Sequence, residues 1–152
     1  MLYPSLTDRL RNQHQALSEI IKNVDEQKLM HNPEPGKWSA YDNIVHLTIY
    51  QPIFIKRIKR ILNEDRPAFN AYRADDDPDF IAGQKLPLVD LLRRLDNDRK
   101  EIYTLITGIP YEQLARTGAH PKYGNLSITD WAEFFLLHEA HHLFTIFKLV
   151  KG

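Results

Sequence analysis

The sequence predicts an all-α protein built as a four-helix bundle. Four separate segments carry apolar residues at spacings of three and four. No segment alternates convincingly like a strand, and the helical segments together would occupy roughly 60% of the chain, about twice the usual helical share. At 152 residues and 43% hydrophobic content the chain can build one core and is too short for two ordinary ones, so residues 1–152 read as a single domain.

The first helical segment carries Leu6, Leu10, Leu17, Ile20, Ile21 and Val24 on one stripe, and His14 falls on the same face. The second opens at Ser39, an N-cap with Asp42 three residues on. It should run to about Leu62, with a kink or local adjustment near Pro52, whose ring cannot donate to the Thr48 carbonyl. The third starts at Pro87, in the favoured first-turn position, and ends before Gly108 with Pro110 beyond it. It buries Leu88, Leu91, Leu92, Leu95, Ile102 and Leu105. The fourth starts near Ser127, again with an acid, Asp130, three residues later, and continues almost to the carboxyl end. Trp131, Phe134, Phe135, Leu136, Leu143, Phe144, Phe147 and Val150 cover most of its circumference, which predicts the most buried helix of the four.

The connection from about Asn63 to Leu86 is long and polar, and loops of that length are usually functional or mobile. A helix of about 22 residues is roughly 33 Å long, and about ten extended residues cross that distance. The connection can therefore join two parallel helices, leaving the second helix antiparallel to the fourth.

Composition excludes several functions. Lys plus Arg and Asp plus Glu balance at 20 each, which argues against a nucleic-acid or anionic-membrane footprint. The strip Lys56, Arg57, Lys59 and Arg60 reads as the solvated face of a helix. With no cysteine, disulfides, thiolate nucleophiles and thiolate metal ligands are excluded. The amino terminus lacks a basic segment followed by an apolar run, and nowhere do 18 apolar residues stand together, so a soluble cytoplasmic protein is the expectation.

The chemistry concentrates in the histidines. His138 and His142 stand four apart on the most apolar helix, with Cβ atoms about 5–6 Å apart, close enough to share one metal ion. His141 is also within reach of His138, but adjacent residues diverge by about 100° around the axis, so His141 and His142 would not both join it. A lone histidine such as His46 on an apolar face ordinarily reads as core. An i, i+4 pair in apolar surroundings differs, because two imidazoles need partners for both polar nitrogens and a shared metal answers that need.

His138-Glu139-Ala140-His141-His142 also reads as H-E-x-x-H, the helical signature of zinc proteases. Those enzymes take their third ligand downstream, and the ten residues after His142 include no acid, histidine or cysteine. A third ligand must come from upstream, and His46 is best placed, at a height within about 3–9 Å of the pair if helices two and four are antiparallel.

The segment Gly36-Lys37-Trp38-Ser39-Ala40-Tyr41-Asp42-Asn43-Ile44-Val45-His46-Leu47 resembles the start of helix two in the DinB-like superfamily. His120 to Trp131 resembles the loop before that family's last helix, and His138 and His142 match its paired ligands. The resemblance spans about residues 5–150. It implies an up-down-down-up bundle and a three-histidine site with coordination positions open to water or substrate, of the kind used by transferases that take thiols such as bacillithiol or mycothiol. Two departures stand out. Thr145 replaces a common glutamine, and Asn43 replaces a common aliphatic residue.

The expected function is thus a divalent-metal-dependent enzyme holding its ion through His46, His138 and His142. It would act as a thiol-dependent S-transferase on small electrophiles or as a related hydrolase. The alternative is a non-catalytic metal- or ligand-binding bundle. Nickel or zinc is the expected ion in a nitrogen site, with iron and manganese as alternatives. Expected partners are a small-molecule substrate and a low-molecular-weight thiol, with no nucleic acid and no membrane, and a homodimer is left open. Tyr123, His120 and Glu139 are the candidate acids or bases. His14 is a candidate pocket residue, and Arg66, Arg73 and Lys37 are candidate contacts for an anionic group.

Overall fold

The computed structural model describes all residues, 1–152, and is predominantly helical. The first arm of the bundle is broken into α1 (Pro4–Asn12) and α2 (Ala16–Ile20), joined by a 3-10 turn at Gln13–Gln15. After the short α3 (Glu26–Met30) come α4 (Ala40–Asn63), the short α5 (Pro78–Gly83), α6 (Leu88–Thr107) and α7 (Ile128–Lys151). Ser39 and Ser127 both form the full capping box with Asp42 and Asp130, so the helix that carries His46 and the helix that carries His138 and His142 each start at a fixed residue. Pro87 is the N-cap of α6, one residue before the position expected of it. Helix α4 continues through Pro52.

Side-chain pairs fix the directions. Asn43 meets His142 and Tyr50 packs near Phe135, so α4 and α7 are antiparallel. Thr48 reaches Leu91 and Gln51 reaches Arg99, so α4 and α6 are parallel. Arg11 reaches Tyr103 while His14 reaches Asp96, so α1 and α6 are antiparallel. The topology is up-down-down-up.

Two expectations fail. The most buried helix is α4 and not α7, because Leu137, Phe144 and Phe147 of α7 face solvent while α4 is covered by α6, α7 and α5. Residues expected to contain no strand form an antiparallel hairpin, β1 (Thr117–His120) and β2 (Gly124–Ser127), with Thr117 opposite Ser127 and His120 opposite Gly124. Gly124 turns the chain at φ +75°, a conformation glycine tolerates best. Gly118 lies so close to Phe69 and Ile61 that a Cβ there would come within 2.7 and 2.8 Å of them, and its carbonyl accepts from the Trp131 indole. The long connection after α4 docks on this hairpin through Phe69 N–H to Ala119 O and Ala119 N–H to Pro67 O. It is ordered by backbone pairing.

The core is in two parts. One contains Leu6, Leu10, Phe54, Ile58, Ile102, Trp131 and Phe135. The other contains Leu17, Ile44, Val45, Leu91, Leu95 and Ile146. Between them lies a buried polar layer of His14, Gln51, Arg99 and Glu139, together with His46. Arg57, expected on a solvated strip, is buried and donates to the Asn70 carbonyl. No helix is long and apolar enough to cross a membrane.

Candidate metal centre

Antiparallel packing of α4 on α7 brings His46, His138 and His142 together. One ring nitrogen from each lies within 4.8 Å of the other two. The His46 and His138 Nε2 atoms face each other at 3.1 Å, and the three ring centroids are 4.5 to 4.9 Å apart. The surroundings are aromatic. Trp38 packs at 5.2 Å from the His46 ring, Tyr72 stacks on its other side at 5.9 Å, and Tyr50 lies 4.8 Å from the His138 ring.

Burial removes water from all three imidazoles, and each neighbour's charge opposes a second protonation. The His46 pKa is pushed down to about 2, His142 to about 3 and His138 to about 4. All three are therefore neutral near pH 7, with lone pairs free to coordinate. Asn43 sets the orientation of one of them. Its amide nitrogen donates to the Ser39 carbonyl, so its Oδ1 faces His142 Nδ1 at 2.8 Å. His142 must then carry its proton on Nδ1, leaving the Nε2 lone pair for the centre.

The donor set fits a divalent transition ion. Three neutral imidazoles converge on one point, and His46 Nδ1 is buried without a hydrogen-bond partner, which costs free energy. Three nitrogen donors with no protein atom in a fourth place is the pattern of sites that keep a position open.

Residues 9–146 match the sequence family described as the DinB superfamily. The protein belongs to the DinB superfamily. Relatives of this DinB-superfamily chain include a Bacillus cereus protein named "Putative metal-dependent hydrolase", 25% identical over 89% of this chain and 78% of the relative. YuaE of Bacillus subtilis is 24% identical over 81% of this chain and 83% of its own. Among solved structures, YfiT from Bacillus subtilis superposes with a TM-score of 0.82 at 18% identity, over 97% of this chain and 85% of YfiT. The four-helix bundle protein TT2238 superposes with a TM-score of 0.68 at 21% identity, over 93% of this chain and 95% of that one. At these identities the two structures speak for the fold.

The other predicted site residues are dispersed. His141 is exposed and touches the centre only through the His142 ring, at 5.2 Å. Tyr123 lines an open groove with Leu126, Phe134, Leu137, His138 and His141. His120 stacks on Tyr123, and its Nδ1 accepts from the Lys122 and Tyr123 backbone, which commits it to the hairpin turn. Glu139, a candidate acid or base, is buried and ion-paired with Arg99 while Gln13 donates to its other oxygen. His14 lines a separate cavity of about 270 Å³ with Arg11, Asp96 and Lys100. Lys37 lines a second hollow beside His142 with Trp38, Asn43 and Thr145, whereas Arg66 and Arg73 are exposed and pair with Asp65 and Asp76.

Sequence reasoning missed Asn43, Tyr50 and Tyr72 as parts of the site. Asn43 and Tyr50 lie three residues before and four after His46, on one helical face, and that spacing is the signal that could have found them. Tyr72 comes from an irregular segment and leaves no periodic trace.

Proposed function

We propose that the chain is a metal-dependent enzyme whose ion, nickel or zinc, is held by His46, His138 and His142. Its substrates are small electrophiles attacked by water or by a low-molecular-weight thiol supplied as cosubstrate. The observation that carries this reading is the convergence of three neutral imidazoles, His46 buried and His138 and His142 half-buried, one of them oriented by Asn43. Bound there, the ion would supply Lewis acidity and lower the pKa of a coordinated water or thiol. The chain's own residues bind and exclude. Trp38, Tyr50 and Tyr72 wall the imidazoles off from bulk water, and the groove of Tyr123, Leu126, Phe134 and Leu137 beside His138 suits an apolar substrate body. A metal-dependent hydrolase is the name carried by relatives, and the absence of cysteine requires any thiol to come from outside.

A second, non-catalytic reading draws on the fate of the candidate proton carriers. His120 is held by the hairpin turn and Glu139 by Arg99, leaving Tyr123 alone beside the groove. Metal content by elemental analysis, thiol transfer to a chromogenic electrophile and ester hydrolysis separate the two readings. Loaded protein should turn over one substrate class, and His46→Ala, His138→Ala and His142→Ala should each lose both metal and turnover, while His141→Ala keeps the metal. Full metal content in His46→Ala would refute the ligand set. Loaded protein without turnover in either assay would leave the binding reading.

A further inference from the structure

The seam between α1 and α6 holds a second concentration of charge, apart from the histidine cluster. Where the 3-10 turn at Gln13–Gln15 interrupts the first arm of the bundle, a cavity of about 270 Å³ is walled by Arg11, His14, Asp96, Arg99 and Lys100. It shares no residue with the hollows beside His138 and His142, and the proposed reaction makes no use of it.

The charges around this cavity do not cancel, because three permanent cations face one carboxylate. Arg99 is 1% exposed. Its Nη2 pairs with Glu139 and its Nε donates to Gln51 Oε1 at 3.2 Å, but Nη1, on the side of His14, finds only His14 Nδ1 at 3.4 Å and the Leu10 carbonyl at 3.5 Å. Both contacts are long for an N–H donor, whose usual distance is about 2.9–3.0 Å, so this end of a buried guanidinium is short of an acceptor. Arg11 has no acidic partner. Its guanidinium lies 4.6 Å over the Tyr103 ring and donates to the Tyr103 hydroxyl, which positions the charge without neutralising it. Lys100 pairs with Asp96 at 3.0 Å, and the same carboxylate faces His14 Nε2 at 3.2 Å. Burial first, and the Arg99 charge second, hold the His14 pKa below its ordinary value, while Lys100 and then His14 hold that of Asp96 below the usual carboxylate range. His14 is therefore neutral and Asp96 ionised near pH 7. Even with Glu139 set against Arg99 and Asp96 against Lys100, the charge of Arg11 is left over.

We propose that this cavity binds a small oxyanion, a phosphate group, between Arg11, Arg99 and Lys100. Its volume lies just below the roughly 300 Å³ at which pockets for whole drug-sized ligands begin, which suits an ion or the head of a small ester. The donors converge from two sides, Arg11 from α1 and Arg99 and Lys100 from α6, with the Thr104 hydroxyl and the Gln15 amide also lining the cavity. A planar carboxylate meets donors from so many directions poorly, whereas a tetrahedral phosphate group can meet them, and guanidinium groups match it in shape as well as charge.

Inorganic phosphate is titrated calorimetrically into metal-loaded and chelator-treated protein in low-chloride buffer. One equivalent should bind in both, with a dissociation constant of about 0.1–1 mM, in keeping with the few atoms of the ion. Arg11→Gln and Lys100→Gln, both at exposed positions, should each weaken binding about tenfold, and Lys151→Gln, far away at the end of α7, should leave it unchanged. Asp96→Asn keeps an acceptor for His14 and removes the one carboxylate of the cavity, so it should tighten binding severalfold. Acetate should bind at least tenfold more weakly than phosphate. Glycerol 3-phosphate distinguishes the sources of the group: tighter binding than phosphate assigns the cavity to the head of a small phosphate ester, and weaker binding assigns it to the free ion. The absence of saturable binding at several tens of millimolar phosphate overturns the proposal, as does acetate binding as tightly as phosphate. So does an affinity that survives both Arg11→Gln and Lys100→Gln and vanishes when the metal is removed, which places the ion at the histidine centre.

Discussion

Acid should destabilise the metal-free protein through the three clustered histidines. Their folded pKa values of about 2, 3 and 4 lie below an unfolded value of about 6.5. The native state therefore keeps them neutral while the unfolded chain takes up protons as pH falls through 6.5. Their contribution is fully present above pH 6.5 and is lost as pH falls towards the folded values. Between pH 7 and pH 5 each costs about 2 kcal/mol and the three together about 6, against a total stability of order 5–15 kcal/mol for a domain of this size. Urea unfolding of chelator-treated protein at pH 7, 6 and 5 should show the midpoint dropping steeply. The triple variant His46→Gln, His138→Gln and His142→Gln should show a much flatter dependence. A wild-type midpoint unchanged between pH 7 and 5, or an equally steep fall in the triple variant, would refute the assignment of three neutral, desolvated imidazoles.

Three further outcomes follow from the geometry. Asn43→Leu removes the acceptor for His142 Nδ1 and should weaken metal affinity about 10–100-fold in a chelator competition, while Asn43→Asp should keep it near wild type. Glu139→Gln leaves Arg99, which is 1% exposed, without its counter-charge and should cost about 3–5 kcal/mol of unfolding free energy with metal retained. Arg99→Met with Glu139→Leu together should cost far less than the sum of the singles, as denaturation of the full double-mutant cycle will show. Gly118→Ala drives a methyl into Phe69 and Ile61 and should lower stability by about 1–3 kcal/mol in thermal denaturation.

What was legible in the sequence was what repeats with a helical period. The capped starts at Ser39 and Ser127, the four apolar stripes and the placement of His46 opposite the His138–His142 pair all follow from spacings within one helix and from the antiparallel sense of two. The hairpin was not legible because its strands are four residues each, too short to display alternation, and because Phe69 and Ile61, which pack against Gly118, lie about fifty residues away in the chain. The long connection after α4 was legible in length only. Its order comes from pairing with that hairpin, and its Tyr72 reaches His46 from a segment with no period.

Arg99 and Glu139 show where a signal was present and not used. Arg99 falls on the stripe of Leu91, Leu95, Ile102 and Ile106, and Glu139 on that of Trp131, Phe135, Leu143 and Ile146. A charge at a core position of one helix asks for its opposite at the same depth on another, and these are the only Arg and Glu in the chain buried to 1%. Their pairing with Gln13, Gln51 and His14 ties the 3-10 turn after α1 to α4, α6 and α7 at one level. A pair of this kind contributes little net stability compared with apolar packing, but sliding either helix by one turn would bury an unpaired charge. Because Glu139 adjoins His138 in the chain, the register it locks is also the register that brings His138 and His142 level with His46.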